Sequence, residues 1–427
     1  MALLHEEQTL LWGLAREVRD ISQSPVLHEK TRLWRDKNSL KKVRPLILCS
    51  LPDQAWNELI PECSLTVHDP LFRGYEWDLK RRIYRWENLK DDEVITDRIY
   101  VPIQRKLTDW IEGRARPYTE HPDRAARFSP CILEYEDLRK LRYPELSVDW
   151  QASRARYDEV QDTFGDILRV EFGEPYYAGT DGDVMGWGNS LIDILCELRG
   201  LDSVYFDFCN APDFVHEAMQ FLLEGTLKYL DDLDRENLLR LNNNEFIRSS
   251  NTPLGSNGLG ITDELPRNGW DPHHVTTEHL WGYFQAQELT GVSADMLEEF
   301  VLPYQAQIAK RFGLNCYGCC EPNDLKWDRI LKRLPHLREL SVSHASRLEI
   351  AAEKLRGDYV FSWKPHPVEM ITTFDEERVR RTLKSAFDIT RDCCVVVCLR
   401  DTQTLDGKPE QTAEWTRIAL EVAGEYP

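Results

Sequence analysis

No run of about 18 apolar residues, the length a helix needs to cross a bilayer, occurs in the chain. No membrane span is therefore expected. The stretch Met1–Asp20 lacks the continuous apolar segment of a secretion signal. Glu6, Glu7 and Glu17 interrupt it, and it reads as an amphipathic helix. Basic side chains are few beside acidic ones: 53 Lys and Arg against 73 Asp and Glu, a formal charge of −20. That balance argues against an extended nucleic-acid or anionic-membrane surface, since phosphate needs a basic footprint. Neither G-x-G-x-x-G nor G-x-x-x-x-G-K-[ST] follows a candidate strand, so the usual marks of nucleotide-binding sheets are missing. H-E-x-x-H is absent, and His273, His274, Glu278 and His279 do not replace it. There is no internal repeat and no low-complexity tract.

What is present fits a well-cored enzyme. The 427 residues include 13 Trp, 16 Tyr and 15 Phe, which excludes disorder over most of the length. The eleven cysteines are odd in number and cluster at Cys316, Cys319 and Cys320 and at Cys393, Cys394 and Cys398. Without a secretion signal they read as thiols or ligands of a cytoplasmic protein, not as a disulfide framework.

Residues 1–110 read as an N-terminal helical cap, with helical patterning over 6–22 and 75–91 and one strand-like run at 45–51. From residue 111 to 427 the pattern alternates. Strands are expected at 167–172, 203–206, 238–241, 313–317, 337–342, 359–363 and 394–399. Helices are expected at 213–233, 294–312, 346–355, 374–387 and 409–422. Thr373-Phe374-Asp375-Glu376 has the form of a capping box, and Asn210 and Ser293 are candidate caps for the helices that follow them. Short strands alternating with helices, without nucleotide loops, predict an α/β fold: a (β/α)8 TIM barrel with an N-terminal helical extension. Residues 242–281 then form a long loop over the active face.

In a barrel the chemistry sits at the C-terminal ends of the strands. Here those ends lead into Asn242, Asn243, Asn244 and Glu245; into Cys319, Cys320 and Glu321; into Ser343 and His344; into Trp363, Lys364 and His366; and into Cys398, Arg400 and Asp401. The last four of these strands are consecutive, so their tips share one rim. Thiols beside a carboxylate offer soft and hard metal ligands. The alternative is buried Cys acting as a small apolar residue. Neighbours on an extended chain point to opposite faces, so Cys319 pairs more naturally with Cys398 or His344 than with Cys320. His344 and His366 are each a lone His, a type more often structural than catalytic; prolines flank His366 and would aim its ring. Lys364 either pairs with Asp401 or binds an anionic substrate group; otherwise it is a surface lysine. The Gly-rich stretch 251–260 lacks a phosphate loop's lysine, and with Ile261–Pro266 it reads as a mobile lid carrying Asp263 and Glu264.

Tyr317-Gly318-Cys319-Cys320-Glu321-Pro322, the run 359–365 and the run 399–404 resemble the uroporphyrinogen decarboxylase-like superfamily, as do 261–266 and 34–51. The resemblance covers nearly the whole chain and is greatest to a branch of decarboxylase-like and corrinoid methyltransferase-like proteins. It implies a TIM-type barrel and one of two chemistries: cofactor-free decarboxylation of porphyrinogens, or methyl transfer with zinc and a corrinoid protein. The decarboxylases use an arginine-rich N-terminal anion site, whereas residues 1–30 hold only Arg16 and Arg19. The methyltransferases carry His-x-Cys at one strand end and a distant Cys. Tyr317-Gly318-Cys319 occupies the first position, with Tyr in place of His, and Cys398 fits the second.

The expected function is therefore transfer of a methyl group from a small methylated substrate, a methyl ether or methylamine and possibly aromatic, to a corrinoid protein, in the manner of an O-demethylase. Glu321, Asp263 or Glu264 would serve as acid, and Cys319, Glu321 and Cys398 would hold zinc. Tyr317, Trp281 and Trp363 would form an aromatic rim, with Asn242, Asn244, His344 and Arg400 also facing substrate. No D-x-H-x-x-G occurs, so the corrinoid would belong to a partner. The alternatives are a cofactor-free decarboxylase or lyase using Lys364, Arg400, His366 or Asp401, and a non-catalytic small-molecule-binding barrel.

Overall fold

The computed structural model describes residues 3–112, 129–173, 190–243, 257–370 and 374–426. Its centre is a six-stranded, wholly parallel sheet. The strands are β1 (Leu46–Cys49), β6 (Trp281–Phe284), β7 (Leu314–Tyr317), β8 (Leu337–Val342), β9 (Val360–Trp363) and β10 (Cys394–Leu399), in the order β1-β10-β9-β8-β7-β6. Outside it β2 (Arg98–Val101) pairs with β5 (Arg169–Phe172), and β3 (Arg105–Leu107) pairs with β4 (Leu146–Val148).

Five of the six sheet strands are buried along their whole length, which is why their sequences run apolar without alternation: both faces are covered. The period-2 geometry still sorts the side chains. Ile47, Phe284, Leu340, Phe361 and Val397 join the large core shared with the helices. On the other face Leu46, Leu48, Val360, Val396 and Cys398 pack against Trp34, Leu259 and Ile261, while Trp281, Tyr283, Leu314 and Cys316 pack on Leu265. Trp34 comes from the helix Pro25–Asn38, whose last residue donates its Nδ2 to the carbonyls of Leu259 and Ile261 (2.8 and 2.7 Å).

Side chains finish both edges of the sheet. On β1, Asp92 accepts the amide of Ile47 (2.7 Å), Asp91 accepts that of Cys49 (2.8 Å), and Arg85 donates to the Cys49 carbonyl (3.0 Å). On β6, the amide of Asn242 spans both the N–H and the carbonyl of Trp281 (2.9 and 3.0 Å). Unpaired strand edges invite pairing with other chains, and these contacts remove that opportunity.

Several expectations need correction. Against the eight strands of a (β/α)8 barrel, the described residues carry six in the main sheet. Its edge strand β1 comes from within residues 1–110, the segment read as a cap. Residues 203–206 lie in the helix Leu201–Asn210, which buries Val204 and Phe208 at i, i+4 spacing. Residues 238–241 form no strand, and β5 pairs outside the main sheet. Conversely β6, for which no strand was expected, begins at Trp281, where the stretch read as a loop ends. The helical run 294–312 breaks into Ala294–Phe300 and Leu302–Ala309, where Pro303 cannot continue the first helix. Ser293 caps Ala294–Phe300 by accepting from the Met296 amide. The helix Glu376–Ile389 is capped by Asp375. Pro212–Arg235 starts from Ala211 without a side-chain cap, Asn210 closing the preceding helix instead. Thr373 lies outside the described residues. The described part of the expected lid, 257–266, is packed on the inner face: Asn257, Leu259, Ile261 and Leu265 are all buried.

Candidate active site

The chain leaves β7 through Gly318, at φ +93°, with its amide donating to the Phe284 carbonyl (2.7 Å). Few L-residues adopt that backbone, and a Cβ there would stand 3.2 Å from the Cβ of Ser341. The turn ends the strand's alternation. Cys319 and Cys320 consequently face each other, Sγ to Sγ 3.5 Å, contrary to the expectation that they point apart. The Cys319 backbone is held on both sides. Its N–H donates to Glu321 Oε2 (2.8 Å), and its carbonyl accepts from Ser341 Oγ on β8 (2.6 Å) and Lys364 Nζ after β9 (2.8 Å). Asn257 accepts from Lys364 (3.4 Å) and donates to the Gly318 carbonyl (3.1 Å). Cys320 Sγ also lies 3.4 Å from Oδ2 of Asp401, after β10.

These contacts set the charge state. The Cys319 thiol is held well below its ordinary value. The hydrogen bond from Cys320 does most of this, with the Lys364 ammonium, the Arg400 guanidinium and the Tyr283 hydroxyl adding to it against the cost of burial. Cys320 is pushed up, because it is the proton-bearing partner of that thiolate. Both residues are half-buried.

Behind the thiolate lies a buried acidic group. Glu321 accepts the Cys319 and Ala286 amides (2.8 and 3.2 Å), and burial, with the thiolate's charge, raises its carboxyl. Both its oxygens therefore serve the turn. Tyr283 Oη donates to Gln285 Oε1 (3.0 Å), and Gln285 Nε2 donates to Asp193 (2.8 Å), a carboxyl that burial lifts well above its ordinary value. Tyr283, Gln285, Asp193, Ser341 and Asn257 were absent from the sequence reading. Two signals were available: the strand 281–284 ends in Tyr283-Phe284-Gln285, and Asp193 is a lone acid in the apolar run 191–195.

At the same rim the rings of His344 and His366 meet edge to face, centroids 4.5 Å apart; His344 is exposed and His366 half-buried. Cys319, Glu321, Lys364, Arg400 and Asp401 are thus brought together, with the His pair on the ends of β8 and β9. Other candidates fall elsewhere. Glu264 pairs with Arg338 at the start of β8 (2.9 Å) and Asp263 with Arg35 (2.8 Å), so these carboxylates sit toward the opposite end of the sheet and are not acids of this site. Asn242 is consumed by the β6 edge. Trp281 is buried at the start of β6, its Nε1 donating to the Gly260 carbonyl (2.9 Å). Tyr317 and Trp363 pack into the outer core, so no aromatic rim forms from these three. Asn244 lies outside the described residues.

No protein-family model and no curated protein matches this chain. Among solved structures it is similar to a methyltransferase from Methanosarcina mazei. The identity is 10%, over 93% of this chain and 98% of that one, with a TM-score of 0.45. A likeness at that level carries nothing about reaction, metal or partner.

The expected zinc ligands do not assemble. Cys398 lies in the interior cluster with its thiol pushed up to about 11 by burial, and both Glu321 oxygens accept backbone amides. Among the described residues no three His, Cys, Asp or Glu side chains stand together as a ligand set. Nor is any helix among them long and apolar enough to cross a membrane. What the arrangement offers is a nucleophilic thiolate flanked by two cations at the C-terminal ends of parallel strands.

Proposed function

We propose that this chain is a methyltransferase in which the Cys319 thiolate takes a methyl group from a small methylated substrate. The observation that carries the reading is the Cys319 thiol set beside Cys320 (3.5 Å) at the C-terminal ends of the parallel strands, its ionised form favoured by Cys320, Lys364, Arg400 and Tyr283. The resemblance of the Tyr317–Pro322 motif to corrinoid methyltransferase-like proteins supports methyl as the group moved. In the step, Cys319 Sγ attacks the methyl carbon in line, a C–S bond forms, and the carbon–heteroatom bond breaks with its electron pair on the leaving group. Lys364 and Arg400 stabilise that negative charge. Tyr283 and Gln285 orient the thiolate, and Glu321 fixes the turn that presents it. A corrinoid carried by a partner protein would supply a reduced cobalt able to accept the methyl group. No step is routed through zinc, because the residues present do not fit it.

The test is incubation of the purified protein with isotopically labelled methyl ethers and methylamines, followed by peptide mass mapping and transfer assays with a reduced corrinoid. Label on Cys319, and loss of transfer in Cys319→Ala, are expected. If Cys319→Ala keeps full activity, the reading fails. A cofactor-free decarboxylase is the second reading, favoured by the paired cations Lys364 and Arg400, which suit a carboxylate substrate; CO2 release without any corrinoid would replace methyl transfer with it.

A further inference from the structure

We propose that Cys319 and Cys320 are a modification site: a vicinal dithiol that hydroperoxides oxidise to a disulfide between neighbouring residues. Adjacent cysteines on a regular strand cannot meet, since their side chains point to opposite faces. Here the left-handed turn at Gly318 sets the two sulfurs 3.5 Å apart, and every group around them fixes that placement. Ser341 and Lys364 grip the Cys319 carbonyl, Glu321 its amide, and Asp401 the Cys320 thiol. Both cysteines are half-buried, open to a small oxidant. Cys316 and Cys398, on β7 and β10, are fully buried.

The chemistry balances in two steps. The Cys319 thiolate attacks one oxygen of hydrogen peroxide; an S–O bond forms, the O–O bond breaks, and hydroxide leaves, giving a sulfenic acid. Cys320 sulfur then attacks the Cys319 sulfur. The S–S bond forms, the S–O bond breaks, and the hydroxyl leaves with the Cys320 proton as water. The two sulfurs together lose two electrons and the peroxide gains them. Consecutive α-carbons are about 3.8 Å apart, below the roughly 4.4–6.8 Å of ordinary disulfides, so the bridge is strained and a dithiol reductant reopens it. Neither step depends on methyl transfer.

The experiment uses the whole reduced protein, treated with hydrogen peroxide, then denatured, alkylated and mapped by peptide mass spectrometry. Cys319 and Cys320 are expected to lose alkylation together, with the loss of two hydrogens from the peptide that carries both, and dithiothreitol is expected to restore them. In Cys320→Ser the reaction is expected to halt at a sulfenic acid on Cys319, captured by dimedone; Cys320→Ala repeats this if the serine variant folds poorly. Either of two results overturns the proposal: Cys319 carried to sulfinic acid in the wild-type protein while Cys320 stays a free thiol, or Cys319 bridged to Cys316 or Cys398.

Discussion

At the scale of single residues the central quantity is the charge on Cys319. Its thiol is lowered in the folded chain, so the thiolate adds stability that is fully present above the ordinary thiol range and is lost as pH falls through the folded value. Reactivity follows the same direction. Alkylation of Cys319 by iodoacetamide is expected to stay fast well below the pH at which an ordinary cysteine slows, when followed by quenched labelling across a pH series. Lys364→Met removes one cation and the hydrogen bond to the Cys319 carbonyl. At fixed mildly acidic pH it is expected to slow that labelling about tenfold for each unit by which the thiol rises. An unchanged pH profile in Lys364→Met would remove Lys364 from the account. Glu321, expected as an acid, accepts a backbone amide at each oxygen and so also ties the Cys319 turn to the loop after β6.

At the scale of an element, the turn after β7 decides more than any one contact. Gly318→Ala places a Cβ 3.2 Å from Ser341 in a backbone that L-residues rarely adopt. A cost of roughly 1–3 kcal/mol is expected in chemical denaturation. The same variant should spread the two sulfurs, which slower peroxide-driven loss of the Cys319–Cys320 pair would report. Elements also show which local signals hold. Strands β7, β9 and β10 were legible because each is a short, mostly apolar run, and β8 because Leu340 and Val342 alternate with polar residues. Residues 203–206 carry the same local look but belong to a helix, since Val204 and Phe208 bury one helical stripe. A four-residue apolar run cannot separate the two periods, and the packing partner decides.

At the scale of the molecule, the inner face of the sheet buries two ionisable side chains, Lys37 and Glu339. Lys37, fully buried at the end of its helix, has Glu339 of β8 as its largest favourable charge, which opposes the lowering that burial imposes on its ammonium. Its Nζ lies 4.2 Å from the ring centroid of Trp34, and Cys316 Sγ donates to Glu339 (3.5 Å). Glu339→Gln removes the charge that offsets burial of the Lys37 ammonium and is expected to lower stability in denaturant titration, while Lys37→Met with Glu339→Leu is expected to recover most of the loss. A double variant no more stable than the single one would mean that the pair is not coupled. The N-terminal region also joins the sheet through β1, which pairs with β10.

The sequence alone determined that four neighbouring strands end in Cys319, His344, Lys364 and Asp401, because hydrophobic runs and the residues that stop them are local properties. It also established a parallel α/β plan, because short apolar strands alternating with helices bury both faces of a sheet. Tertiary structure decided the rest. The two cysteines meet only because a left-handed glycine reverses the chain, and Tyr283, Gln285 and Asp193 reach them from 34 or more positions away in sequence. Asp263 and Glu264 end at the other end of the sheet because residues 257–266 run along its inner face. Distance along the chain carries no record of such meetings; they are fixed by which faces pack together once the sheet has formed.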